Sequence, residues 1–75
     1  NLNLKFDIIF FDPPYKNKNI DNLLNEINNQ KILNKHGIII LHRHKNEQDP
    51  LPSSYKLIEQ KVYGLSKIIF LSCLD

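Results

Sequence analysis

The sequence predicts an α/β fold in which a strand, a helix and a second strand are followed by an antiparallel hairpin. Three observations carry that expectation. Phe6–Phe11 is an apolar run interrupted only by Asp7; Ile20, Leu23, Leu24 and Ile27 recur at helical spacing; and residues 37–41 form a second run, Gly-Ile-Ile-Ile-Leu. Strands apolar on both faces, joined by an amphipathic helix, are the pattern of a parallel pair with its crossover.

Residues 1–5 read as a linker or the tail of a preceding loop. The first strand then runs into Asp12-Pro13-Pro14-Tyr15. Neither proline has a backbone N–H for a ladder, and each biases the residue before it toward an extended conformation. Asp12 and Tyr15 are thereby expected on a stiff turn at the carboxyl end of a strand, where open α/β sheets bind their ligands. The plainer alternative is a strand-terminating turn with a capping Asp, since both residue types are ordinary in turns. Residues 16–19, Lys-Asn-Lys-Asn, read as a polar loop beside this corner. Lys16 and Lys18 would there either meet the phosphates of a nucleic acid or simply be solvated.

In the helix the apolar stripe falls at i, i+3, i+4 and i+7, the face that packs on a sheet. Asn19 is placed to cap it and Asp21 to interact with its first turn. Ile32 and Leu33 are expected to prolong the apolar contact through a last irregular turn, with Lys35, His36 and Gly37 as the stop signal. The many asparagines across residues 17–34 are a compositional bias, and packing must hold a helix made of such weak formers. The strand at 37–41 leads into His42-Arg43-His44-Lys45. His42 and His44 share a face at a spacing that a metal could use, yet no Cys or further acid is placed to complete a site. A plain polar loop or a basic, RNA-facing stretch are the other readings. Residues 46–54, with Pro50 and Pro52, form a turn-rich loop. Residues 55–62 and 66–71 alternate in character around Tyr63-Gly64-Leu65, a hairpin corner with Gly64 available for a positive φ.

Seventy-five residues make one small domain at most, and a chain of this size buries only about 60% of its unfolded surface. The net charge of +2 and pI near 8.8 are mildly basic, which suits an RNA partner without requiring one. A single cysteine excludes an internal disulfide, and Cys73, in an apolar strand, reads as a buried inert thiol. No apolar stretch approaches the roughly 20 residues needed to span a bilayer. No secretory signal pattern opens the chain, so the cytoplasm is the expected compartment.

The chemistry available at the corner follows from its groups. A flat heterocycle lying on Tyr15 would be stacked, an interaction worth roughly 1 to 3 kcal/mol per base. An exocyclic amino group on that ring could donate to the Asp12 carboxylate and the Pro13 carbonyl. Such an amino group is a poor nucleophile because its lone pair is delocalised. Two acceptors on its N–H bonds favour a pyramidal nitrogen and offset the positive charge that grows on attack, which is orientation combined with electrostatic preorganisation.

Asp12-Pro13-Pro14-Tyr15 after an apolar strand resembles the D-P-P-Y signature of S-adenosylmethionine-dependent amino-methyltransferases. The order of helix, strand and terminal hairpin with the Tyr63-Gly64 corner is similar to the carboxyl-terminal half of the RsmD-type enzymes, which methylate a guanine amino group in small-subunit ribosomal RNA. The resemblance covers nearly the whole chain, and D-P-P-Y is its most specific part. It implies the carboxyl-terminal half of a Rossmann-like methyltransferase sheet, ending in an antiparallel pair, with residues 1–75 forming a single partial domain. Asp12, Pro13 and Tyr15 would be catalytic, and Pro14, Tyr15, Lys16 and Lys18 would bind substrate. S-adenosylmethionine would be the cofactor, ribosomal RNA or the small ribosomal subunit the partner, and no metal is required. RsmD-type relatives often carry an acidic residue near His42, from which this chain departs. Its only glycines are Gly37 and Gly64, and the resemblance places the cofactor loop upstream of Asn1. The chain is therefore expected to be a fragment or truncated copy, inactive by itself, that needs an amino-terminal half or a partner chain.

Two other enzymes share the motif in part. DNA adenine or cytosine amino-methyltransferases generally need an added target-recognition region, and none is inserted between Tyr15 and Leu71. Protein glutamine methyltransferases usually have Asn where this chain has Asp12. A third reading is a non-catalytic α/β module whose first strand, flanked by Phe6, Ile8 and Phe10, has an unpaired edge that invites association.

Overall fold

A computed structural model describes residues 4–13 and 19–74. The elements are β1 (Phe6–Phe11), α1 (Ile20–Gln30), β2 (Leu33–His44), β3 (Tyr55–Tyr63) and β4 (Ser66–Cys73). They form a four-stranded sheet in the order β1-β2-β4-β3. β1 pairs parallel with β2, and β4 pairs antiparallel with both β2 and β3. The strand-helix-strand unit followed by a hairpin is thus the expected one.

One face of the sheet is closed by α1. Ile20, Leu24 and Ile27 pack on Leu33, Ile39, Leu41, Tyr55, Ile69 and Leu71, with Ile9 and Phe11 at the margin. Fully burying an aliphatic side chain of this size contributes about 1.5 to 3 kcal/mol. The hydroxyl of Tyr55 adds a directional tie, donating to the Leu24 carbonyl at 2.8 Å. Strand alternation sends the neighbouring residues to the other face, where Ile8 and Phe10 are 62% and 59% exposed. Ile38, Ile40, Ile68 and Phe70 continue that apolar surface, half-buried. β1 is also an edge strand among the described residues.

The second strand is longer than its apolar run suggests, and the helix stops earlier. Lys31 takes the left-handed conformation (φ 54°, ψ 42°), and its N–H donates to the carbonyls of Ile27 and Asn28. This helix end therefore uses a lysine where the sequence suggested Lys35, His36 and Gly37. β2 begins two residues later because β1 offers it a partner at once, with the Phe6 N–H donating to the Ile32 carbonyl at 2.7 Å. Gly37 lies inside β2, next to an irregularity in the β1–β2 register. A Cβ there would come within 2.6 Å of the Leu33 side chain, so the glycine admits Leu33 to the core. Asn19 is the N-cap residue, but its side chain makes no capping hydrogen bond.

The hairpin turns where expected. Tyr63 pairs with Ser66, and Gly64 has φ +56° at the first of the two loop residues, the glycine position of a type II′ turn. The alternation seen in 55–62 does not bury a face. Only Tyr55 of β3 is buried, because β3 is the outer strand and the register shifts between Leu57 and Glu59.

Candidate active site

The parallel register brings the ends of β1 and β2 level, with Phe11 opposite Leu41. The next residues on each chain, Asp12 and His42, are therefore neighbours on the face away from α1. Nδ1 of His42 lies 2.9 Å from Oδ1 of Asp12, with the two side chains 33% and 60% exposed. Together with Pro13, Arg43, His44, Leu65 and Ser66 they line a cavity of about 440 Å³ at the carboxyl ends of the parallel strands. That size falls within the usual range of ligand clefts, about 300 to 1,000 Å³.

The loop over residues 45–54 is fastened from the opposite face. Arg43, alternating with His42, points into the helix side and is 2% exposed. Its guanidinium holds Asp49 in a two-point contact at 2.8 and 3.0 Å and reaches Glu47 at 3.3 Å. Lys67 donates to the Glu47 carbonyl from β4. Arg43 is thus an internal anchor, which corrects the expectation that residues 42–45 are a polar loop or a basic, RNA-facing stretch. Residues 42–44 are strand, with His42 and His44 on the outward face, and Arg43 also contributes to the cavity lining.

Of the sequence-derived site residues, Asp12 and Pro13 stand together at this cavity. Pro14, Tyr15, Lys16 and Lys18 lie outside the described residues. His44 is on the same face as His42, but its Nδ1 accepts the main-chain N–H of Asn46 at 3.1 Å. Among the described residues no group of three or more His, Cys, Asp or Glu side chains is gathered as a metal site would need. His42 as the partner of Asp12 was not anticipated. The signal was present: two apolar runs paired in parallel and ending at Phe11 and Leu41 must set residues 12 and 42 side by side.

Neither glycine forms a cofactor cradle. Gly37 is packed against Leu33, and Gly64 is on the hairpin turn with open space around it. Among the described residues, no glycine-rich turn follows the end of a parallel strand. At the far end of the core, burial and then the neighbouring Cys73 push the Tyr55 phenol up to about 12. No helix among the described residues is long and apolar enough to cross a membrane.

The sheet with its helix is part of a Rossmann-like methyltransferase fold. A conserved hypothetical protein of Streptococcus pyogenes superposes with a TM-score of 0.82 at 24% identity, over 93% of this chain and 44% of that one. A protein of Haemophilus influenzae described as a methylase gives 0.80 at 20% identity, over 99% and 47%. The sequence profile of the family described as Conserved hypothetical protein 95 matches residues 1–72, and the chain belongs to that family, the RsmD-type one expected from its motif. Ribosomal RNA small subunit methyltransferase D of Buchnera aphidicola is 30% identical over 60 residues, 80% of this chain and 31% of the relative. An uncharacterized methylase of Rickettsia prowazekii is 29% identical over 69 residues, 92% and 29% respectively. The chain thus spans about a third of the length of these curated relatives.

Proposed function

We propose that this chain forms the target-binding side of an S-adenosylmethionine-dependent methyltransferase acting on the exocyclic amino group of a guanine in small-subunit ribosomal RNA, in the cytoplasm. The observation that carries the reading is the pairing of Asp12 with the end of the β1–β2 ladder, beside Pro13, on a cavity of ligand size. The name of the Buchnera aphidicola relative supports the RNA substrate.

When bound, S-adenosylmethionine would supply an electrophilic methyl and leave as the neutral thioether. The residues of this chain act on the nucleophile. Asp12 and the Pro13 carbonyl accept the two amino N–H bonds, orient the nitrogen lone pair and stabilise its growing positive charge. The Asp12 carboxylate is the nearest acceptor for the proton that nitrogen must then release. By the resemblance, Tyr15 would stack on the base, Pro14 would contact the substrate beside it, and Lys16 and Lys18 would meet flanking phosphates. Drawing a base out of folded RNA costs a few kcal/mol, for which stacking compensates. Asp12→Ala, in the protein as the cell makes it, is expected to lower the rate of methyl transfer far more than cofactor affinity. Equal losses in both would overturn the role given to Asp12. Transfer to DNA duplex or to protein in preference to RNA, assayed side by side, would overturn the substrate.

The exposed edge and open face of β1 favour a companion reading for the architecture. Residues 1–75 are one part of a domain whose sheet continues past β1, covered by an amino-terminal half or a partner chain. The chain alone is then expected to sediment as an associating species without methyltransferase activity. A stable monomer would sink that reading.

A further inference from the structure

His42 and His44 stand on one face of β2 with their rings held in opposite senses. Nδ1 of His44 is an acceptor, taken by the Asn46 N–H. Nδ1 of His42 faces Oδ1 of Asp12 at 2.9 Å. An ionised carboxylate only accepts hydrogen bonds, so the His42 ring carries its proton on Nδ1 and donates it. We propose that His42 is a positioning residue for Asp12. By holding Oδ1 it fixes the plane of the carboxylate and leaves Oδ2 to accept from the amino group of the target base. The proposal rests on the methyltransferase reading above and names a residue that the D-P-P-Y motif does not contain.

Three features separate this role from an ordinary tie between strands. The register of β1 on β2 is already set by the ladder from Ile8 opposite Ile38 to Phe11 opposite Leu41, so the pair adds nothing to alignment. Both side chains are substantially exposed, and an exposed ion pair contributes only about 0 to 1 kcal/mol. Both also line the cavity. Asp12 lies just past the end of β1, where no ladder restrains its carboxylate. Among the described residues, His42 is the partner that its side chain has. Small misplacements of a reacting group cost rate steeply, on the order of 10²-fold for 1 Å.

The test compares His42→Ala and His42→Asn in the protein as the cell makes it. Asn keeps a side-chain N–H near the position of Nδ1, whereas Ala removes it. Methyl transfer to small-subunit RNA, S-adenosylmethionine binding by calorimetry and the ring tautomer by nitrogen NMR are read on the same preparations. His42→Ala is expected to lower kcat by on the order of 10²-fold while cofactor affinity and folding stay as they were, and His42→Asn is expected to restore most of it. The wild-type ring should show the Nδ1–H tautomer and lose that preference in Asp12→Ala. Full kcat in His42→Ala, a slow His42→Asn, or an Nε2–H tautomer in the wild type would each overturn the positioning role while leaving the methyltransferase reading intact. A wild-type protein with no transfer to RNA, DNA or protein overturns both.

Discussion

The two faces of the sheet are built from alternate residues of the same strands, yet they are opposite in state. On the α1 side Ile39, Leu41, Ile69 and Leu71 are buried and even a guanidinium is fully paired. On the other side Ile8 and Phe10 are more than half exposed, and the pair at the end of the strands, Asp12 with His42, is open to solvent. The closed face therefore carries the stability of the chain. The open face carries its unmet demand for contact and the site proposed for its chemistry.

The contrast can be broken most severely at Arg43. Removing one partner of a buried ion pair strands the other, and Arg43→Ala, which leaves the buried Asp49 carboxylate without its guanidinium, is expected to cost about 3 to 5 kcal/mol in urea unfolding. A loss below 1 kcal/mol would mean that the loop over 45–54 is not fastened as described. Leu24→Ala, in the middle of the closed face, should cost about 2 to 5 kcal/mol. Tyr55 sharpens the comparison through pH. Its phenol rises from the ordinary 10.0 to about 12 in the folded chain, so above pH 10 the unfolded state releases the proton first and stability falls as pH climbs toward 12. Tyr55→Phe should flatten that alkaline decline and cost about 1 kcal/mol at neutral pH; an unchanged decline would exclude Tyr55 as its origin. The smallest effect on folding is expected on the open face. Phe10→Lys should change the unfolding free energy by no more than about 0.5 kcal/mol while abolishing self-association in sedimentation. A large destabilisation there would show that the face is already covered within the chain.

Much of the closed face was legible because it is written in periodicity. Ile20, Leu24 and Ile27 announce a helical stripe, and the runs ending at Phe11 and Leu41 announce the parallel pair, although the burial expected on both faces of the first run is not met, since no residue of β1 is buried. The start of β2 was hidden because Asn34, Lys35 and His36 are polar and Gly37 is a common stop signal, whereas strand pairing with β1 outweighs both. Arg43 was misread for a related reason: a charged residue after an apolar run suggests a loop, and only the acids six and four residues later reveal that burial is affordable. At the site, Asp12 could be singled out from its prolines. His42 required one further step, aligning the ends of two apolar runs so that residues 30 positions apart meet.

The strand order β1-β2-β4-β3 has a consequence for how the sheet is assembled on the ribosome. Of the four described strands the one made last is an inner one, and β3, synthesised before it, pairs with β4 alone. A nascent chain that has emerged only as far as Leu65 therefore presents β3 with no docking partner and leaves Ile39 and Leu41 without Ile69 and Leu71. Joining these four strands is then a single late event, insertion of β4 between two waiting strands, and non-local pairings of this kind are slow and exposed to aggregation while they are pending. A peptide ending at Leu65 should accordingly show no hydrogen-exchange protection in β3.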